Sequence, residues 1–383
     1  MNLKSFCSKG IMFFILFFLF FSNIGFCGND LQPISKVNNK KFKIAYCEND
    51  PYFNYAGTLY GILKGLSEAG WIKSIEDIPY TSGSNDAKAM WKWLSSRDMG
   101  DYIKFKENAF IQLAYLSNDE KKAALEKFKR EKNIDLFIVM GTKAGKFTSK
   151  NIDHIPVLVF STSDAVKSGI IQSVHTSGKD NLWAHVDPQR YKRQLDVFYD
   201  LFHFKKLGIV YENTELGRSL AAIDTVQDFT KEKHVEIVEY FINEANSKED
   251  LKRYEKEIKD IYSKMATQVD AVYLTPGSRK TKKTKDYLSP FYHKKIPVFS
   301  QVGPIEVQYG ALMSVYRFNF DEIGRFGADR IINVLKGATP QSLSQNFGDT
   351  PSISLNMAVA EQIGYKVPFD ILLVSDIIYT KIY

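Results

Sequence analysis

The residues best suited to chemistry in this chain stand directly behind short apolar runs. Asn49, Tyr52 and Phe53 follow the run Phe42 to Tyr46, and Thr142 follows Leu136 to Met140. Ser163 and Asp164 follow Val157 to Phe160, Asn213 and Glu215 follow Leu207 to Tyr211, and Thr275 and Gly277 follow Ala271 to Leu274. Glu306 lies in the loop behind Pro297 to Phe299. These amides, hydroxyls, carboxylates and rings suit the holding of a small polar molecule rather than its conversion. Tyr52 or Phe53 can stack on an apolar or aromatic part, and Asn49 can offer amide bonds. Thr142, with the amides of a helix N-terminus, can take a carboxylate. Ser163 adds a hydroxyl, and Asp164 or Glu306 can meet an amine. Each position also has a plain structural explanation. Thr142 and Asp164 can cap helices, Asn49 to Tyr55 can be a surface turn around Pro51, Glu215 suits the first turn of a helix, and Glu306 can be an exposed acid.

Motifs of catalysis are missing. His154, His175, His185, His203, His234 and His293 are scattered, without HExxH or another close metal-ligand spacing. No GxSxG elbow occurs, and no Cys and His pairing can be assigned. Gly141-Thr-Lys-Ala-Gly145-Lys146-Phe147 is not a phosphate-binding P-loop, because only three residues separate its glycines and Phe147 follows the lysine. No cofactor and no metal are expected. The basic run Arg279 to Lys285 is expected to be a solvated loop, with an anion site as the alternative.

The elements that must position these residues alternate between strand and helix. Phe42 to Tyr46 is expected as the first strand, Leu59 to Ala69 as a helix stopped by Gly70, and Ile78 to Thr81 as the second strand. Leu136 to Met140 and Val157 to Phe160 are short and apolar throughout, as buried parallel strands are. A second series follows a helix at Gln189 to Phe202. It has a strand at Leu207 to Tyr211, a helix at Glu215 to Thr230 and an edge strand at Val235 to Phe241. Ser247 and Asp250 can cap a helix reaching Met265. Strands at Ala271 to Leu274, Pro297 to Phe299 and Ala311 to Val315 complete it. Gly337 to Pro351 looks like a linker, and Ser352 to Tyr383 returns to apolar order. Two βα series of similar size predict an α/β protein with two doubly wound parallel-sheet lobes. In such sheets ligands sit at the carboxyl ends of the strands, so a cleft between the two is the natural site.

The stretch Ile296 to Gly337 carries a resemblance. A Pro-started strand leads to a loop ending in Gly310-Ala311-Leu312. A helix with Ile323, Phe326, Ala328, Ile331, Ile332 and Leu335 at helical spacing follows, then Leu335-Lys336-Gly337. This order resembles the extracytoplasmic solute-binding proteins of ABC importers, in the tryptophan- or tyrosine-type group. The resemblance covers roughly Lys41 to Tyr383. The Thr142 loop, Ser163-Asp164-Ala165-Val166, Tyr211 to Glu215 and the acid at Glu306 are similar to family segments, with Ala165 where relatives have Pro. A His-containing loop of relatives is absent after the first strand.

The resemblance implies a type I periplasmic-binding fold whose chain crosses three times between lobes. The crossings are placed at Gly169 to Trp183, Tyr316 to Asp321 and Ala338 to Pro351. Lobe 1 then takes 41–172 plus 318–338, and lobe 2 takes 176–316 plus 350–383. Ser84 to Asp119 is longer than the family usually has there. With Trp91, Trp93, Tyr102, Phe105, Phe110 and Tyr115, it is expected as an inserted helical pair packed on the first lobe, the alternative being a rim element that touches ligand or permease.

The N-terminus sets the compartment. Lys4 and Lys9 precede the apolar run Ile11 to Phe21 and the small residues Ser22 to Gly28, the three-part layout of a signal peptide over 1–27. The run is short for a spanning helix, which needs about 20 residues. Cleavage before Gly28 and acylation of Cys27 in a lipobox are both open. Cys7 falls within the signal, so Cys47 alone is left and a disulfide scaffold is excluded. The remaining chain, about 355 residues, fits two domains. The net charge of +7 is spread along the sequence and gives no case for nucleic acid. By resemblance, the chain is an extracytoplasmic solute-binding component that delivers an amino acid or similar metabolite to an ABC permease in the membrane. Alternatives are a sensory protein presenting ligand to a membrane kinase or chemoreceptor, and an exported enzyme on the same scaffold.

Overall fold

The computed structural model describes residues 31–131, 134–245, 247–316, 320–348 and 351–383. The signal peptide expected over 1–27, with its alternative of acylation at Cys27, lies outside the described residues. Pro33 to Tyr383 forms one compact unit.

The first sheet begins with β1 (Phe42–Glu48), which is apolar on both faces from Ile44 to Cys47 and buried at every residue but Lys43. Helix α1 (Phe53–Glu68) follows, then α2 (Ala87–Ser95) and β2 (Ile103–Gln112). Helix α3 (Asn118–Glu131) leads to β3 (Leu136–Met140), α4 (Thr142–Asn151) and β4 (Val157–Phe160), and β5 (Leu182–Ala184) closes the sheet. The order is β2-β1-β3-β4-β5, all parallel.

The second series is α5 (Arg190–Phe202), β6 (Lys206–Glu212), α6 (Glu215–Leu220), α7 (Ile223–Lys233) and β7 (Glu236–Ile242). It continues through α8 (Lys248–Met265), β8 (Ala271–Leu274), α9 (Thr284–His293), β9 (Val298–Ser300), α10 (Pro304–Gln308) and β10 (Met313–Val315). After α11 (Phe320–Leu335) come β11 (Ile353–Asn356), α12 (Met357–Ile363), α13 (Phe369–Val374) and β12 (Ser375–Tyr379). The seven-stranded sheet runs β12-β11-β10-β9-β8-β6-β7 and is parallel except for the β10–β11 pair. One apolar cluster covers one face of the first sheet and two lie on the faces of the second, while Ile44, Tyr46, Ile138, Leu158 and Phe160 are buried on the other face of the first sheet.

Helix α11 follows the last parallel strand of the second sheet but packs on α1 of the first lobe. Gly61 and Gly324 permit that contact. A Cβ on Gly61 would stand 1.7 Å from the Phe320 carbonyl oxygen, and one on Gly324 would stand 2.1 Å from the Gly61 carbonyl carbon. The residues joining β10 to α11 include 317–319, so part of the crossing expected at Tyr316 to Asp321 lies outside the described residues. The same holds for 349–350 in the crossing expected at Ala338 to Pro351.

Several expectations are corrected. Ile78 to Thr81 is a turn, not the second strand; Pro79 there has no N–H to give to a ladder. The strand beside β1 is β2, inside the segment expected as a helical pair, where it follows α2 and leads through a 3-10 turn at Leu113–Tyr115 into α3. Phe110 stacks on buried Tyr46 at 5.0 Å, Trp91 packs on it at 5.7 Å, and Phe105 meets Trp91 edge-on at 5.4 Å. This segment therefore completes the first lobe. Because β5 pairs with β4, the chain leaves the first sheet after Ala184, later than the Gly169 to Trp183 crossing. The helix expected over Glu215 to Thr230 is two helices, broken where Ala222 takes a left-handed conformation at φ 51°.

Candidate functional site

Both sheets have the same core order, with the chain reversing direction across the sheet between β1 and β3 and again between β6 and β8. At such switch points the loops leaving adjacent strands turn opposite ways and open a crevice at the carboxyl ends. The two crevices face each other and share a cavity of about 360 Å³. The first lobe lines it with Asn49, Asp50, Tyr52, Asn54 and Tyr55 after β1, Thr142 and Lys143 after β3, and Ser161 to Ser163 after β4. The second lobe gives Glu212 after β6, Glu244 after β7, Pro276 to Arg279 after β8, and Gln301, Val302 and Glu306 after β9. Arg190 and Tyr191 open α5 at one end of the cavity, and Tyr316 follows β10.

In the first lobe Gly141 carries φ 85°, and a Cβ there would lie 2.0 Å from the Tyr55 hydroxyl. Glycine thus lets the Tyr55 ring lie against the start of α4. Thr142 Oγ1 accepts the Ser163 N–H at 3.2 Å, tying two cleft loops together. The Ser161 hydroxyl shares a 2.9 Å hydrogen bond with Thr58 on α1. The ten-residue helix α4 turns its N-terminus to the cavity, which favours an anionic ligand group there. Behind the wall, Glu48 is fully buried and accepts from Tyr46 Oη and Gln112 Nε2, each at 2.7 Å. Burial pushes its carboxyl up to about 7, with those two hydrogen bonds pulling the other way.

In the second lobe Arg279 and Glu306 form a buried ion pair at 3.1 Å. The Ser300 hydroxyl donates to the same carboxylate at 2.9 Å. Burial raises the Glu306 carboxyl and the Arg279 charge opposes the rise. The pair fastens the loop after β8 to α10. Glu212 accepts from Ser278 Oγ at 3.3 Å, and burial, then the neighbouring Glu244, raises its carboxyl. Gln301 is buried, donates through Nε2 to the Leu220 carbonyl at 3.0 Å, and its Oε1 finds no hydrogen-bond partner among the described residues. At the end of the cavity the Arg190 guanidinium lies 4.2 Å from the Tyr316 ring centre, and Tyr191 Oη reaches across to the Ser163 carbonyl at 3.1 Å.

Ion pairs also cross between the lobes. Lys143 meets Glu244 at 3.0 Å, Lys167 meets Asp224 at 2.6 Å, and Lys146 approaches Glu215 at 3.6 Å. In all three the lysine comes from the first lobe and the acid from the second. This is a closed arrangement.

Of the residues picked from the sequence, Asn49, Tyr52, Thr142, Ser163, Gly277 and Glu306 line the cavity. Phe53, Asp164, Asn213, Glu215 and Thr275 do not. Helix α1 starts six residues before the expected Leu59, so Phe53 is its first residue and packs edge-on against Tyr52 at 4.7 Å. The Asp164 carboxylate accepts the N–H groups of Val166 and Lys167, and so caps its own turn. Asn213 is exposed outside the cavity. Glu215 begins α6 behind the Thr214 cap, where it is largely exposed near Lys146. Thr275 turns its hydroxyl into the sheet, to the Val210 carbonyl at 2.6 Å. The expectation of a solvated loop from Arg279 fails at its first residue, which is buried in the cleft wall, while Lys280 and Lys283 pair with Glu255. Arg190, Tyr191, Gln301 and Tyr316 were not singled out from the sequence. Gln301 obeys the rule applied to the other loops, since it stands one residue past β9.

Among the described residues no cluster of His, Cys, Asp and Glu can hold a metal ion, and no helix is long and apolar enough to cross a membrane. Comparison with curated proteins gives no match. Solved structures of the same fold do match. A conserved domain protein from Vibrio cholerae superposes with a TM-score of 0.64 at 18% identity, over 88% of this chain and 100% of that one. An ABC domain in complex with L-Trp from Streptococcus pneumoniae gives 0.65 at 17% identity, over 88% and 100%. A ligand-free, open substrate binding protein with adhesive properties from Clostridium difficile gives 0.64 at 18%, over 89% and 100%. The family model described as ABC transporter substrate binding protein matches residues 101–377. The two facing lobes and that match lead to one conclusion: this chain belongs to the ABC transporter substrate-binding protein family.

Proposed function

We propose that the chain is the extracytoplasmic binding component of an ABC importer, and that its lobes close on one aromatic amino acid or a close relative of it. The observation that carries this is the composition of the cavity. Tyr52, Tyr55, Tyr191 and Tyr316 give it rings, and the Thr142, Ser161 and Ser163 loops give hydroxyls beside a helix N-terminus. Arg190 supplies a fixed positive charge, and Glu212 and Asp50 supply carboxylates. A zwitterion with a flat side chain uses all three kinds of group. Its carboxylate meets α4 or Arg190, its ammonium meets a carboxylate, and its ring lies among the tyrosines. The volume suits such a molecule, and the likeness to the L-Trp complex agrees with it.

The mechanism is differential binding. Ligand touches both lobes only when they are closed, so it shifts the population toward that form. A permease that docks the closed form would then receive the cargo, and ATP hydrolysis would fall to separate subunits. Isothermal titration calorimetry against the twenty amino acids tests the proposal. Saturable one-to-one heat from tryptophan, tyrosine or phenylalanine is expected. No heat from any member at millimolar concentration would overturn it.

A further inference from the structure

Sheet edges are open templates for pairing with another chain, and proteins shield them with charge, irregularity or cover. Three of the four edges here are shielded. β2 exposes Lys104, Glu107 and Asn108 and carries a register shift against β1. β5 is buried, with the chain following Pro340 laid along it; Trp183 Nε1 donates to the Ser344 carbonyl at 3.0 Å and Val186 bridges to Asn346. β7 carries Glu236, paired with Lys206, and Glu239, bonded to Tyr211. The fourth edge, β12, pairs only with β11 and reads Ser-Asp-Ile-Ile-Tyr.

Exposed apolar side chains also gather around β12. Ten large hydrophobic side chains are exposed among the described residues, and six of them fall here: Phe369, Leu373, Val374, Ile377, Ile378 and Tyr383. Helix α13 has no buried residue. A patch of this kind on one strand and its adjoining helix marks a contact surface.

We propose that β12 and α13 form a homodimer interface, in which β12 pairs antiparallel with β12 of a second copy about a two-fold axis. Consecutive strand residues point to opposite faces. The two-fold axis keeps each residue on its own face and opposite residues share a face, so with Ile378 opposite Ile378 of the second copy, Ile377 lies opposite Tyr379 on the other face, and neither face is left apolar and wet. Charge favours a like partner. The segment carries Lys366 and Lys381 against Asp370 and Asp376, a balance that neither repels its own copy nor selects a strongly acidic or basic surface. Size agrees as well. Six side chains at these exposures present on the order of 600 Å², so a two-fold contact buries on the order of 1,200 Å², the lower edge of a stable interface.

Sedimentation velocity on the purified chain from about 1 to 100 µM tests this, alongside Ile378→Lys. Wild type is expected to dimerise across that range. Ile378→Lys removes one buried isoleucine per copy and brings two like charges together, so it should weaken the dimer by about a hundredfold or more while leaving the melting temperature and ligand titration unchanged. A second variant, Ile378→Cys, sets two thiols directly opposite each other and should give a disulfide-linked dimer on mild oxidation, absent when Ile377→Lys is combined with it. Wild type that stays monomeric at 100 µM would overturn the proposal. So would a dimer that survives Ile378→Lys, or a monomer that instead binds phosphatidylglycerol vesicles through this patch.

Discussion

The interlobe ion pairs give the closed form a measurable electrostatic component. Lys167 and Asp224 are the best pair to perturb, because neither lines the cavity and a change there cannot act through ligand contact. Their charged groups are 2.6 Å apart, and the side chains are 42% and 48% exposed. At that exposure water screens the attraction, and a pair of this kind contributes about 0.2–1 kcal/mol. Lys167→Glu removes the attraction and sets two carboxylates against each other, for a total near 1 kcal/mol. If ligand binding requires closure, that energy appears in the dissociation constant as a weakening of about fivefold. Asp224→Lys should weaken binding by a similar factor, and the combined exchange should return it to near the wild-type value. Calorimetric titration with L-tryptophan as first probe, in 50 mM and 500 mM NaCl, reads all four proteins. With three such pairs, wild-type affinity should fall by roughly five- to thirtyfold at the higher salt. Folded single variants with unchanged affinity, and no salt effect on wild type, would refute closure through this contact.

Two further outcomes concern the scaffold. The Glu48 carboxyl is raised in the folded state to about 7 by burial, above its unfolded value near 4.3. The folded chain therefore holds a proton that the unfolded chain gives up, so this contribution is complete below about pH 4 and lost as pH rises through 7. Urea unfolding from pH 4.5 to 8 should show wild type losing on the order of 3 kcal/mol from this group, while Glu48→Gln shows a flatter profile; identical profiles would exclude Glu48 as the source. Gly61→Leu should force α1 and α11 apart, since even a Cβ would overlap the Phe320 carbonyl. A loss of at least about 3 kcal/mol is expected by thermal or urea unfolding, and a melting temperature within two degrees of wild type would contradict that packing.

The strands legible in the sequence are those buried on both faces. Leu136–Met140, Val157–Phe160 and Ala271–Leu274 are continuous apolar runs because helices cover both sides of them. β2 escaped notice for the opposite reason. As an edge strand it alternates Ile103 and Phe105 with lysines, and its register shift breaks the alternation before Ala109 and Ile111. β5 is three residues long and has no periodicity to detect. For the site, standing just past a strand was enough to place Asn49, Thr142, Ser163 and Gly277 on the cavity. It could not tell which way a side chain turns: Thr275 bonds back into its sheet and Asp164 caps its own loop. Arg279 was hidden by composition, because the lysines after it are solvated while its own guanidinium folds inward onto Glu306. Arg190 and Tyr191 begin a helix after a lobe crossing, and only the facing of the two lobes makes that helix start part of the cleft.

The most direct test of the two-lobed clamp is a crystal structure of the chain with the tightest member of the amino-acid panel. One molecule should lie between the Thr142 and Ser163 loops of the first lobe and the Gly277 and Gln301 loops of the second, in contact with both. Density for it on an outer face, or against one lobe alone with the mouth open, would contradict the account.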